Sequence, residues 1–555
     1  MILYETWQRF KKVGWFLPGF ILYAAFPPMC EVADALFALA PLMWLSRRGD
    51  ARESAKRWFQ SGLFFWVATL SWMPAIVKNG GPWPLVALGW GALAAYCAAY
   101  FAAYGWLSAE YWAWARKIPG GGWAVAARIF GLLVAEPVLW CGLELVRSRL
   151  FGGFAWNHLG TVPANAGFGS PAAIGGVYLL SAVVVLVNGT IAGMAERILA
   201  GIAGRSADYG MPKALRSLET VLVFVVLWWL YAAGGRAVDA ARQKCDGEGS
   251  GRVKVAMVQR NFPCVFKGRE TDPYQAYSNL LSRVSALKPD LVALPESAMC
   301  EFSPLDQQGA VRFAEWASAE TGGAAILAGG TRYDDGRVFN SAALYTPPMT
   351  PASELPVYDK VHLVPFGEFI PGDKLIPALQ RLAPVGSCTP GEPRLLRLAG
   401  GDSPQFGVAI CFEDTDSALV RRFAASLGAQ FLVFITNDSW FSRSCEANAH
   451  AWQSTARAIE TGLPVVRVGN SGVTGTISPD GRRSWLCGRD GRPLVDRSGA
   501  MFDRISIPSR EEAVRGLTPY ASTGDFPLAA AFALLTGAVI LVKYKGKQNR
   551  TKLLT

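Results

Sequence analysis

The sequence predicts an α+β membrane protein: a polytopic α-helical membrane domain of about eight spans, with a water-soluble domain of strands between helix layers inserted before the last span. Three observations predict it. Of 555 residues, 51% are hydrophobic and only 17% charged, which is too apolar for a soluble chain of this length. The apolar residues gather in 13–234 and 526–543, in runs that approach the roughly 20 residues needed to cross a bilayer. Past a polar, Gly-containing linker at 243–251, the texture changes to short β-branched runs alternating with helical stretches.

Spans are expected at 13–28, 31–46, 57–78, 84–110, 124–146, 173–195, 217–234 and 526–543. The first two are short and admit a re-entrant hairpin instead. A basic start and apolar middle give residues 1–28 the look of a signal peptide. No small-residue cleavage pattern follows Phe26-Pro27-Pro28, so an uncleaved first span is the reading. This divides the chain into an N-terminal transmembrane domain over 1–240 with about seven spans, a soluble domain over 252–508 and a C-terminal transmembrane helix over 526–543.

The formal charge of +11 raises nucleic acid as a partner, but its placement argues for topology instead. Arg9, Lys11 and Lys12 precede the first span, and Arg47, Arg48, Arg52, Lys56 and Arg57 fill the next loop on that side. Arg116, Lys117 and Arg128 follow, then Arg197, Arg205, Lys213 and Arg216, then the lysine-rich tail from Lys543. The alternate loops carry few basic residues. Both termini are therefore expected in the cytoplasm, and seven spans put 252–508 on the far side, the periplasm of a bacterium. Ten cysteines contain no C-x-x-C pair and three histidines are scattered, so no metal is expected. In an oxidising compartment some of Cys245, Cys264, Cys300, Cys388, Cys445 and Cys487 are candidates for disulfides of undetermined connectivity.

Within the soluble domain, strands are expected at 253–259, 291–295, 324–329, 341–345, 407–411, 431–436, 464–468 and 473–478, and helices at 274–287, 307–321, 417–427 and 447–461. Three chemically competent residues close or follow such strands: Glu296 in Leu294-Pro-Glu-Ser, Lys360 in Tyr358-Asp-Lys-Val-His-Leu-Val-Pro-Phe-Gly-Glu368, and Cys411 in Ile410-Cys-Phe-Glu413. A cysteine attacks as thiolate, so it needs a base or nearby cation and a positive group for the oxyanion it creates. Taken singly, Cys411 reads as a buried structural thiol, Glu296 as an exposed strand end and Lys360 with Asp359 as a weak solvated pair. Together, with Glu368 and Glu413 beside them, they are the parts for acyl transfer through a thioester. No G-x-S-x-G elbow and no H-E-x-x-H motif occurs to support a serine hydrolase or zinc protease.

These segments, with Thr436-Asn-Asp-Ser-Trp-Phe441, resemble the nitrilase superfamily. Within it, the extended lysine motif, the multi-span N-terminal region and Gly516-Leu-Thr-Pro-Tyr520 before a final span resemble the apolipoprotein N-acyltransferases. The resemblance implies an αββα nitrilase-like sandwich on the periplasmic side of the bacterial inner membrane, with Glu296, Lys360 and Cys411 as catalytic triad and Glu368, Glu413 and Phe412 in support. It implies an acyl chain passed from a phospholipid, typically phosphatidylethanolamine, to the N-terminal amine of a diacylated apolipoprotein, without cofactor. Two departures stand out: Phe412 where the family often has Tyr, and Gly268 where it usually has Trp.

Asn437 and Trp440 are candidates for the substrate site, the alternatives being a turn cap and a core aromatic. Arg147, after Glu144 at the end of the fifth span, is a candidate for a lipid phosphate, the alternative being an arginine snorkelling to water. His450 reads as a satisfied structural histidine. A tethered amidase using water as second nucleophile and a non-enzymatic scaffold are the competing functions. The Pro- and Gly-rich 350–390 stretch is a candidate gate.

Overall fold

The computed structural model describes residues 14–202, 213–263, 272–299, 307–348, 354–370, 387–398 and 402–554. Gly268, Cys264, Cys300, Arg9, Lys11, Lys12, Arg205 and much of the candidate gate lie outside them. The chain divides into two compact units: Met1–Pro74, Pro82–Gly234 and Asp525–Thr555 form one, Ala75–Gly81 and Gly235–Gly524 the other.

The first unit is helical: α1 Leu17–Ala24, α2 Ala40–Arg48, α3 Ala51–Thr69, α4 Trp83–Ala115, α5 Gly122–Phe130, α6 Glu136–Arg147, α7 Ala172–Ile202, α8 Lys213–Asp246, which runs on into the second unit, and, after the helices of that unit, Phe526–Leu554. Among the described residues, six stretches are long and apolar enough to cross a membrane: Ala51–Asn79, Trp83–Ala115, Gly122–Arg147, Ala172–Ile202, Leu218–Asp246 and Phe526–Lys545. The expected first two spans are not among them. Eight residues of α1 rise only about 12 Å against a hydrocarbon core of about 30 Å, and this part of the chain is two short helices, α1 and α2, joined by a turn. The reason is local. Pro27-Pro28 ends the first helix, and Asn188 of α7 holds the turn, accepting from the N–H groups of Leu39 (2.8 Å) and Ala40 (3.1 Å) and donating to the Ala35 carbonyl (2.8 Å). The start of α3 follows from Asp50, whose carboxylate caps the N–H groups of Arg52 and Glu53.

The second unit holds two six-stranded sheets. One has the order β12-β1-β2-β3-β4-β5, from β1 Gly251–Gln259, β2 Leu291–Ala293, β3 Ala325–Asp334, β4 Arg337–Tyr345, β5 Val357–Asp359 and β12 Gly499–Ile507; the other is β11-β10-β9-β8-β7-β6, from β6 Leu395–Arg397, β7 Gln405–Ile410, β8 Phe431–Thr436, β9 Val465–Gly469, β10 Gly475–Ile477 and β11 Arg483–Trp485. β1, β2 and β3 run parallel, as do β7, β8 and β9, and the outer strands add antiparallel.

Period-two alternation sorts side chains between layers. Val255 and Met257 of β1 join Val408, Ile410, Leu432, Phe434, Val466 and Val468 in a core between the sheets. Ala256 and Val258 instead meet Tyr277, Leu281, Phe313 and Ala317 of the helices α9 Pro273–Ser285 and α10 Gln307–Glu320. On the other sheet the helix α11 Glu446–Thr461 covers β9, where Arg467 reaches Ser454 at 2.9 Å. This is an αββα sandwich, and Phe526–Leu554 becomes α12. Strands at 330–340 and 499–507 extend beyond the expected ones, and the expected 417–427 helix breaks into Ser417–Arg421 and a π turn at Arg422–Ser426. Helix α8 runs through part of the expected linker to Asp246. No disulfide joins the described cysteines.

Candidate active site

Three strand ends meet. Glu296 follows β2, where the Leu294 N–H donates to the Leu327 carbonyl; Lys360 follows β5, its N–H bonded to the Asn340 carbonyl at 2.8 Å; Cys411 follows β7 and opens the 3-10 turn Cys411–Thr415. Cys411 stands in the left-handed region at φ +55°, a conformation that costs a non-Gly residue and is held by its surroundings. The holding group is Glu413, fully buried. Its carboxylate accepts from the N–H groups of Ile410 (2.8 Å), Val361 (2.7 Å) and His362 (2.9 Å) and from the Tyr358 hydroxyl at 2.9 and 3.0 Å. It thereby ties the cysteine turn to the lysine loop.

Lys360 Nζ lies 2.8 Å from Glu368 Oε1 and 4.0 Å from Glu296 Oε1, and the side chain is 1% exposed. Asn340 donates to both carboxylates, at 2.8 Å to Glu296 and 2.6 Å to Glu368. The second oxygen of Glu296 accepts the Asn437 N–H at 2.9 Å, and that of Glu368 the Val364 N–H at 2.7 Å. Only Gly fits at position 329, where a Cβ would come within 2.7 Å of Glu296 Cα.

Burial raises the Glu296 pKa above the usual carboxylate range, against the pull of Lys360, with Glu368 adding to the rise. Burial also pushes the Cys411 thiol well up, and Glu296 raises it further while Lys360 lowers it. For Lys360 burial works downward, but Glu368 and Glu296 outweigh it, so the ammonium is held charged. A neutral thiol beside a carboxylate of raised proton affinity and a fixed cation is arranged for proton transfer coupled to attack.

Sequence reading brought together Glu296, Lys360, Cys411, Glu368 and Glu413, and it missed Asn340, which no motif marks. It also missed a buried ion network behind the nucleophile turn. His450 Nδ1 lies 2.9 Å from Asp438 and its Nε2 3.0 Å from Asp414, while Arg467 pairs closely with Asp414 and stands 3.8 Å from Asp438. Burial alone would lower the His450 pKa, but Asp414 and Asp438 raise it to about 10, so the ring is cationic. Among the described residues, Asp438, Glu446 and His450 are the group whose ligand atoms lie within 4.8 Å of one another. Both ring nitrogens of His450 are already engaged and Arg467 adds a second cation, so the cluster is a salt network rather than a metal cradle.

The Phe412 ring packs edge-on against His362 at 5.9 Å. Asn437 is buried, its side-chain oxygen accepting from Ser439 N–H, Ser439 Oγ and Asn470 Nδ2. Trp440, half-buried in the 3-10 turn that follows, accepts from Asn79 Nδ2 on its carbonyl at 2.8 Å. Arg147 belongs to the helical unit, where its Nη1 donates to the carbonyls of Phe154 (2.7 Å) and Trp156 (2.8 Å) and its guanidinium lies over Trp66.

Residues 18–190 match the model of the apolipoprotein N-acyltransferase N-terminal domain, and residues 254–497 that of the carbon-nitrogen hydrolases. An apolipoprotein N-acyltransferase of Geobacter metallireducens is 31% identical over 95% of this chain and 93% of its own length. One of Methylococcus capsulatus is 28% identical over 96% and 95%. Among solved structures, an amidase of the nitrilase superfamily from Nesterenkonia AN1 aligns with 51% of this chain and 97% of its own, at 17% identity and a TM-score of 0.35.

Proposed function

The chain belongs to the apolipoprotein N-acyltransferase family, and from that premise we propose a two-stage acyl transfer centred on Cys411, with a phospholipid as donor and the N-terminal amine of a diacylated apolipoprotein as acceptor. The observation that carries this reading is the placing of Lys360 Nζ 4.0 Å from Glu296, with Glu413 tying the Cys411 turn to the lysine loop.

In the first stage the Cys411 thiol gives its proton to Glu296 and the sulfur attacks the sn-1 ester carbonyl of the phospholipid. Lys360 and the Phe412 N–H hold the oxyanion. The ester C–O bond breaks, Glu296 protonates the departing glycerol oxygen, and a lysophospholipid leaves a thioester on Cys411. In the second, the acceptor amine attacks the thioester and passes its proton through Glu296 to the departing sulfur, giving an amide and the free thiol. Glu368, 2.8 Å from Lys360, orients the ammonium, and Glu413 holds the nucleophile turn. Asn437, whose N–H donates to Glu296 at 2.9 Å, and Trp440 in the turn after it are assigned to the substrate side. A contact of Arg147 with the donor phosphate is a separate proposal, because its Nη1 already holds two carbonyls.

The basic loops support an orientation with both termini in the cytoplasm and 252–508 in the periplasm of the inner membrane. Replacing two spans by a hairpin removes an even number of crossings and leaves that orientation unchanged. The test is transfer of a labelled acyl chain from phosphatidylethanolamine to a diacylated lipopeptide. Wild type is expected to transfer it and C411A not at all. Transfer that survives C411A, or a wild type that only releases ammonia from small amides, contradicts the proposal.

A further inference from the structure

The helical unit contains a cavity of about 250 Å³ at the end where its basic loops gather, bounded by α2, α4, α5, α7 and α8. That is far more than the roughly 10–15 Å³ one water needs, and its walls are ionic. Arg47, Arg116, Arg128, Arg197, Glu196 and Glu219 line it.

Their partners leave a positive excess. Arg47 Nη2 pairs with Glu136 at 2.6 Å, Arg48 with Glu196 at 3.0 Å, and Arg197 with Glu219 at 2.9 Å. Arg128 shares that same Glu219 at 3.8 Å, and Arg116 donates to the backbone carbonyl of Arg47. Among the described residues, four arginines thus line the cavity with two glutamates, and Arg48 and Glu136 stand behind as partners of Glu196 and Arg47. The site is also built to hold its central cation in place. A Cβ at Gly189 would lie 3.1 Å from Arg47 Nη2 and one at Gly193 3.2 Å from Arg47 Nη1, so these glycines on one face of α7 make room for the guanidinium.

Guanidinium groups converging on a confined space match the oxygens of a phosphate by paired, charge-assisted hydrogen bonds. Basic pockets between transmembrane helices close to a membrane surface take anionic lipid headgroups in this way. We propose that this cavity is a phosphate-binding site, separate from the catalytic centre. Its ligand carries a phosphate group, as the headgroup of an anionic lipid or as free phosphate.

The test uses the full chain, delipidated in an uncharged detergent, with short-chain phosphatidylglycerol and inorganic phosphate as probes and native mass spectrometry as readout. Wild type is expected to retain phosphatidylglycerol. The double variant R128Q/R197Q is expected to bind it roughly tenfold or more weakly, the loss expected for removed charge-assisted hydrogen bonds. Displacement by inorganic phosphate alone identifies free phosphate as sufficient, and resistance to it identifies the acyl-bearing headgroup; either outcome supports the site. A124F keeps every arginine and fills the cavity, so it is expected to lose binding too, and it carries the test if the double variant does not fold. No binding of either probe to wild type, or binding to A124F equal to wild type, overturns the proposal.

Discussion

Lys360 is the charge on which the pocket balances. A 1% exposed ammonium between Glu368 and Glu296 holds the two carboxylates together with little screening by water. Glu296 has the one role no neighbour duplicates, since Glu368 is spent on Lys360 and Val364. E296Q preserves shape but cannot take the thiol proton, and acyl-enzyme formation is expected to slow by about 10²–10⁴, the usual contribution of a positioned base. Rapid-quench measurement that found an unchanged rate would remove Glu296 from the mechanism. His450 makes a second prediction. Its folded pKa of about 10 lies above the ordinary 6.5, so the stability it contributes is complete below pH 6.5 and disappears as pH rises toward 10. Unfolding of the catalytic unit, followed by intrinsic fluorescence, is expected to become easier across that window in wild type. H450Q should flatten the dependence, and equal slopes in the two proteins would refute the ion network as the cause.

Elements were legible where their pattern is local. The central parallel strands announce themselves as β-branched runs, and Glu296, Lys360 and Cys411 each follow a strand, which fixes where the side chain starts. The β3–β4 hairpin was missed although Asp335-Gly336 between Val-, Phe- and Tyr-bearing runs is a hairpin turn signal; the expected break at Gly329 hid it. The edge strand β12 mixes Asp503 and Arg504 into its alternation and reads as a loop. The first two expected spans are short helices, and hydropathy, which counts apolar residues, does not register the turn between them that Asn188 holds from 148 residues away. N188A removes acceptors for Leu39 and Ala40 and a donor to Ala35. It is expected to destabilise the helical unit by about 1–3 kcal/mol, the cost of leaving buried polar groups unpaired. A thermal unfolding midpoint equal to wild type would show that the hairpin does not depend on Asn188.

Across the whole molecule, the division of labour was readable from composition alone, because a bilayer and a sandwich core demand different texture. The grouping of Glu296, Lys360 and Cys411 was readable because each lies in a compact motif. His450 was read as a satisfied structural histidine and is one, but its partners and the other bracing groups were not legible: Asn340, Asp414, Asp438 and Arg467 come from separate elements and obey no spacing rule, so only the folded arrangement assembles them. The proposed reaction stands on one sulfur, that of Cys411. Intact-mass spectrometry of wild-type protein incubated with phospholipid and no acceptor, followed by peptide mapping, tests it most directly. The account predicts an increment of one acyl chain, located on Cys411 and discharged by adding a diacylated lipopeptide. An acyl group found on another residue, or a fully active protein that never carries one, would contradict it.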